Sequence, residues 1–138
     1  MSKYILDTNV LSEPTKPIPS QNLLAWIASQ APENLFIAAW SIVEIQRGIL
    51  AYGAGKKRTL LENWFGDLRT QFAGRILPFD DRVAILYANL LHQGKASGLN
   101  RSEKNTFIAA TALAHQCIVA TRNTGDFPDV EIFNPFIR

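Results

Sequence analysis

A chain of 138 residues, 47% hydrophobic and 19% charged, is long enough to bury one ordinary core and too apolar for a disordered tail or a coiled coil. Fourteen Lys and Arg against twelve Asp and Glu leave a formal charge of +2. That is too little to announce nucleic-acid binding from composition, so such a function must come from a site. The one cysteine, Cys117, excludes an internal disulfide and a Cys-rich zinc module. No apolar run reaches the roughly 18 residues of a membrane span, and no signal-peptide core is visible. The expectation is a cytoplasmic protein with one domain over residues 1–138.

The apolar run Lys3 to Leu6 stops at Asp7-Thr8-Asn9, as a buried strand stops at a polar turn. Pro14 to Pro19 reads as a surface loop, and residues 20 to 30, opened by Ser20 and ended by Pro32, read as a helix. Leu35 to Ala39 is a second strand. Ser41-Ile-Val-Glu44 is a capping-box pattern, and Ile42, Ile45 and Ile49 behind it predict about three helical turns. A helix over Lys57 to Phe72 and a strand over Arg75 to Phe79 follow, and Asp80-Asp81 then suit a helix N-terminus. Val83, Leu86, Tyr87 and Leu90 mark one amphipathic helix, terminated by the Gly94 to Gly98 region; Ser102 opens the next, with Ile108, Ala109, Ala112 and Leu113 as its stripe. Cys117 to Ala120 is a strand and Val130 to Phe133 a last one. Strands alternating with helices imply a three-layer α/β/α sandwich around a central, mainly parallel sheet.

In such sheets ligands sit beyond the carboxyl ends of the strands, where helix N-termini also point. Asp7 falls there, as a site carboxylate or simply a helix N-cap. Glu44 is a second acid, or the capping-box partner of Ser41, with Gly48 one turn on leaving room for another element to approach it. Asn105 lies at the start of an apolar helical stripe, and Asp126 follows a strand in Thr121-Arg-Asn-Thr-Gly-Asp-Phe127, where an Asx turn would also place it. If all four converge on one edge, an all-oxygen cluster results that favours Mg²⁺ or Mn²⁺ over zinc, and metal-activated water attacking a phosphodiester is the natural chemistry. Thr8, Asn9, Thr121 and Asn123 could orient carboxylates or water, and Arg47, Lys104 and Arg122 could meet phosphate. Lys56-Lys57-Arg58 reads as a solvated helix start, and His92 and His115 fall away from that edge. Trp26, Trp64 and Phe65 suit either an interface or the core.

These motifs resemble the PIN-domain ribonucleases of the VapC and FitB toxin type, over essentially the whole chain. Leu6-Asp7-Thr8-Asn9-Val10-Leu11-Ser12-Glu13 resembles the opening motif and Ser41-Ile-Val-Glu44-Ile-Gln-Arg-Gly48 the second. Ile108-Ala-Ala-Thr-Ala112, then Thr121-Arg-Asn123 with Asp126-Phe127, resemble the third and fourth. The resemblance implies a Mg²⁺- or Mn²⁺-dependent endoribonuclease acting on tRNA or ribosomal RNA, the toxin of a bacterial toxin–antitoxin pair, homodimeric and inhibited by a cognate antitoxin. It implies Asp7 and Glu44 as metal-binding acids, with Asp126 or Asn123 at the variable fourth position. Its third acid is usually an Asp three residues before Ile-Ala-Ala, where this chain has Asn105. An amide nitrogen donates and cannot ligate, so weaker metal binding and reduced cleavage are expected. A PIN-like protein that binds RNA or antitoxin without cutting is the competing reading. A phospho-accepting receiver domain is a poorer one, because Asp80-Asp81 are accounted for as helix caps.

Overall fold

Strand residues alternate between two apolar faces, and that alternation sets the layers. In the computed structural model, which describes residues 2–98 and 102–137, the strands are β1 (Tyr4–Leu6), β2 (Leu35–Ala38), β3 (Ile76–Leu77), β4 (Ile118–Ala120) and β5 (Ile132–Phe133). They form one sheet of order β3-β2-β1-β4-β5, with every pairing parallel. Ile5, Ala38 and Val119 point to one side, into a core completed by Val83, Leu90 and Ile108. Their neighbours Leu6, Ile37 and Ala120 point to the other, against Leu23, Ile45 and Phe65. Such strands must be apolar on both faces, which is why they read as unbroken runs.

The helices are α1 (Thr8–Ser12), α2 (Gln21–Ser29), α3 (Ala39–Leu50), α4 (Lys56–Gln71), α5 (Asp81–Ala96) and α6 (Glu103–His115). The residues they contribute to the two cores place α5 and α6 on one face and α1 to α4 on the other. This is the three-layer α/β sandwich expected. Local signals mark the ends: Ser20, Asp80 and Ser102 cap α2, α5 and α6 by accepting the backbone N–H of Leu23, Val83 and Asn105. Helix α6 is buried nearly all round, through Thr106, Ile108, Ala109, Ala110, Thr111, Ala112 and Ala114, as befits a helix between sheet and neighbour. Its two buried hydroxyls are satisfied by carbonyls one turn back, Thr106 to Ser102 at 2.7 Å and Thr111 to Phe107 at 2.9 Å.

Some expectations shift. The second strand ends one residue early because α3 already begins at Ala39, and the third shrinks to Ile76–Leu77, since Pro78 has no N–H for a ladder. Helix α1, five residues long, carries too little periodicity to be read. Phe65 is buried, and Trp26 and Trp64 pack half-buried on the same core. His92 is exposed and His115 is the half-buried last residue of α6.

Cys117 is buried just before β4, and burial pushes its thiol up to about 11. Between the ordinary thiol value of about 8.5 and that value, the folded chain keeps a proton that the unfolded chain has released. Stability contributed at this residue therefore falls as pH rises through the window. Two results are expected. Ellman's reagent at pH 8 labels the native chain on the order of a hundredfold more slowly than the denatured one, and Cys117→Ala flattens the alkaline decline in the urea midpoint. Equal labelling rates would contradict this burial.

Candidate active site

The sheet order reverses direction between β1 and β4, which makes their carboxyl ends the crevice where ligands bind in open parallel sheets. Asp7 follows β1 and Thr121 follows β4. The Asp7 N–H extends the ladder to the Ala120 carbonyl at 2.9 Å, and the chain then turns into α1 with Asp7 as N-cap, its Oδ1 accepting the Thr8 N–H at 2.7 Å. Asp7 is thus both a cap and a buried carboxylate, 1% exposed. Its Oδ2 accepts the Thr121 hydroxyl at 2.8 Å and the Asn9 amide at 3.4 Å. Thr121 Oγ in turn accepts the Asn123 N–H at 3.0 Å.

Glu44 enters from α3. Because α3 starts at Ala39 and has no side-chain cap, Ser41 lies inside the helix and the expected capping box does not form. Both side chains instead meet Thr8, whose hydroxyl donates to Glu44 Oε1 at 2.6 Å and lies 3.0 Å from Ser41 Oγ. A hydroxyl has one proton and an ionised carboxylate only accepts, so Ser41 must supply the proton of its own contact. Thr8 therefore joins the two acids: its N–H holds Asp7 and its hydroxyl holds Glu44.

Helix α6 supplies the cation. Trp40 on α3 packs on Phe107 of α6, ring centroids 5.4 Å apart, and Phe107 packs on Phe79 at 4.5 Å. Glu44 lies one turn beyond Trp40 and Lys104 one turn before Phe107, on the same helix faces. That packing brings Lys104 Nζ to 3.4 Å from Glu44 Oε2. Burial holds the Asp7 carboxyl above the usual carboxylate range. The Thr121 hydroxyl, the Lys104 charge and the Thr8 N–H oppose that rise, and Glu44 adds to it.

Asn105 is half-buried in the first turn of α6, with its N–H on Ser102 Oγ at 3.0 Å. Its side chain makes no hydrogen bond among the described residues. Asp126 is exposed in a 3₁₀ turn over Thr124–Asp126, and among the described residues no three of His, Cys, Asp and Glu gather to hold a metal. Of the four expected residues, Asp7 and Glu44 are the two that share a partner, Thr8. Arg47 is exposed; Lys104 faces Glu44 with its side chain 32% exposed. Arg122 lies over the Phe136 ring at 3.9 Å and 3.4 Å from Glu13. The space over Gly48 is open, and a groove lined by Thr8, Ser12, Gly48, Tyr52 and, from α4, Lys57 and Trp64 runs beside Glu44.

Glu13 went unassigned in the sequence. It is 3% exposed and accepts the Ser20 N–H at 2.8 Å, with Lys16 at 3.0 Å and Arg122 at 3.4 Å on its other oxygen. The Lys16 contact and the Ser20 N–H hold its carboxyl below the ordinary range. Through Arg122, whose N–H also meets Asn9 Oδ1 at 3.3 Å, Glu13 ties the first turn of the chain to the loop after β4. Its place as the last residue of the opening motif was the available signal.

The PIN domain model matches residues 4–132. The chain belongs to the PIN domain family, among the toxins of the FitB and VapC type. It is 41% identical to Toxin FitB of Neisseria gonorrhoeae over 96% of this chain and 97% of that one. It is 42% identical to the VapC ribonuclease Y4jK of Sinorhizobium fredii over 96% of each. The structure of FitAB bound to an IR36 DNA fragment superposes with a TM-score of 0.91 at 40% identity, covering 98% of this chain and 96% of that one.

In this PIN domain the donor chemistry is all oxygen, as a hard divalent ion requires. The charge falls short: two carboxylates joined through Thr8, a neutral amide at 105, and an ammonium already facing Glu44. As placed, these residues do not fit a firmly held divalent ion. The Thr8 bridge is directly testable. Thr8→Val, which keeps the shape and loses the hydroxyl, should lower stability by about 1–2 kcal/mol in urea unfolding followed by tryptophan fluorescence, whereas Thr8→Ser should stay near the parent. An unchanged midpoint for the valine variant would show that the bridge contributes nothing.

Proposed function

We propose that this PIN domain is the toxin of a bacterial toxin–antitoxin pair: a cytoplasmic endoribonuclease directed at structured RNA of the tRNA or ribosomal class, homodimeric, and restrained by a cognate antitoxin. The observation that carries the reading is the acid pair itself. Asp7 and Glu44, from different elements, share Thr8 at the switch point of the sheet. The VapC relative is named a ribonuclease, and the FitAB complex on DNA supports a protein partner for this chain as well.

Asn105 leaves cleavage strongly reduced. A phosphodiester attacked by water develops negative charge, and a Mg²⁺ or Mn²⁺ ion would supply both the activated water and the balancing charge. Such an ion belongs to the three-acid form of the site, because affinity for a hard dication follows ligand charge. What the chain itself provides is placement: Thr121 and Asn9 fix Asp7, Thr8 fixes Glu44, and the groove beside Gly48 gives access. The neutral amide also favours a second reading, a PIN-like protein that retains antitoxin or RNA binding without cutting.

Asn105→Asp separates the two. With Mn²⁺ and a folded tRNA, the variant should cut faster than the parent by about 100-fold or more, and a chelator should abolish the gain. A folded Asn105→Asp protein that cuts no RNA at any Mn²⁺ concentration would overturn the nuclease reading.

A further inference from the structure

The sequence reading gave Lys104 to phosphate, yet its ammonium is turned into the site. Each carboxylate oxygen of the pair has a partner. Asp7 Oδ1 takes the Thr8 N–H, Asp7 Oδ2 takes Thr121 and Asn9, Glu44 Oε1 takes the Thr8 hydroxyl, and Glu44 Oε2 faces Lys104 Nζ. Lys104 is the one cation among these partners.

We infer that Lys104 is a second determinant, beside Asn105, of which cation this site accepts, its tethered ammonium standing at Glu44 and competing there with a divalent ion for the Asp7–Glu44 pair. The inference rests on reading those two carboxylates as the acids of the PIN site. Three features support it. Lys104 is carried by the same helical turn as Asn105, and the half-buried Trp40–Phe107 packing sets that turn against Glu44. Formal charge points the same way: two carboxylates and one ammonium leave a net charge of minus one, too little for a small dication that gives up its water reluctantly. A tethered group also competes at a high effective concentration, which a free ion must exceed. The amide at 105 and the lysine at 104 thus act in the same sense, one by withholding charge and the other by neutralising it.

The test is Mn²⁺ binding to the intact chain without RNA, read by the loss of the free-ion EPR signal and by the Mn²⁺-dependent shift in melting temperature. Lys104→Met, close in size and uncharged, should tighten Mn²⁺ binding about tenfold and give a larger melting shift than the parent. Lys104→Arg, which keeps the charge, should bind as weakly as the parent. Lys104→Gln repeats the measurement if the methionine variant does not fold. Affinity unchanged in the neutral variants, or raised equally in Lys104→Arg, would overturn the inference. That failure would leave the ribonuclease reading untouched, since no RNA enters. Conversely, an Asn105→Asp chain that takes Mn²⁺ but cuts no RNA would overturn that reading and not this one.

Discussion

A carboxylate buried where two parallel strands end is the constraint around which this molecule is arranged. Asp7 cannot keep its charge in an apolar crevice without partners, and the sheet order fixes which partners reach it: the turn into α1, the residue after β4, and the helices that open on the same edge. Thr8, Thr121 and Asn9 satisfy its oxygens directly. Glu44, drawn in through the Thr8 hydroxyl, brings a second negative charge into the same space and makes a cation necessary. The α3–α6 aromatic contact then decides that the cation on hand is a lysine. The steps run from β-sheet topology to electrostatics, and the chemistry open to the site follows from its charge.

A second, peripheral network steadies that arrangement. Glu13 links the segment after α1, the start of α2 and the loop after β4 through Ser20, Lys16 and Arg122. Its effect on the acid pair is indirect. It holds Arg122, whose N–H meets Asn9, and Asn9 leans on both Asp7 and Thr121. The Arg122 guanidinium is also spread over Phe136, so the C-terminal segment closes over the same corner.

Much of the fold is written locally and could be read. Ser20, Asp80 and Ser102 are caps whose partners lie three residues on, and the strands are apolar on both faces because the sheet is covered on both. The site was only half legible, for a matching reason. Ser41 and Glu44 have the spacing of a capping box, and nothing within that segment reveals that the helix starts three residues earlier; the deciding contact comes from Thr8. Glu13 was passed over because its partner Arg122 is remote in sequence. Lys104 was read as a phosphate ligand because its orientation depends on Trp40 packing against Phe107. Asp126 has the residue type and the place after a strand, and it sits exposed in a 3₁₀ turn. Resemblance to the family located the substituted third position, which residue pattern alone would have left as a helix-start amide.

The account stands or falls on what occupies the space between the two acids. A crystal of the unsubstituted protein soaked in millimolar Mn²⁺, with data collected for manganese anomalous scattering, measures it directly. The expected map has Asp7 and Glu44 joined through Thr8, Lys104 Nζ seated on Glu44, and no strong anomalous peak between the carboxylates. A full-occupancy manganese there with Lys104 swung out to solvent, or Asp7 and Glu44 found on separate surfaces, would contradict it.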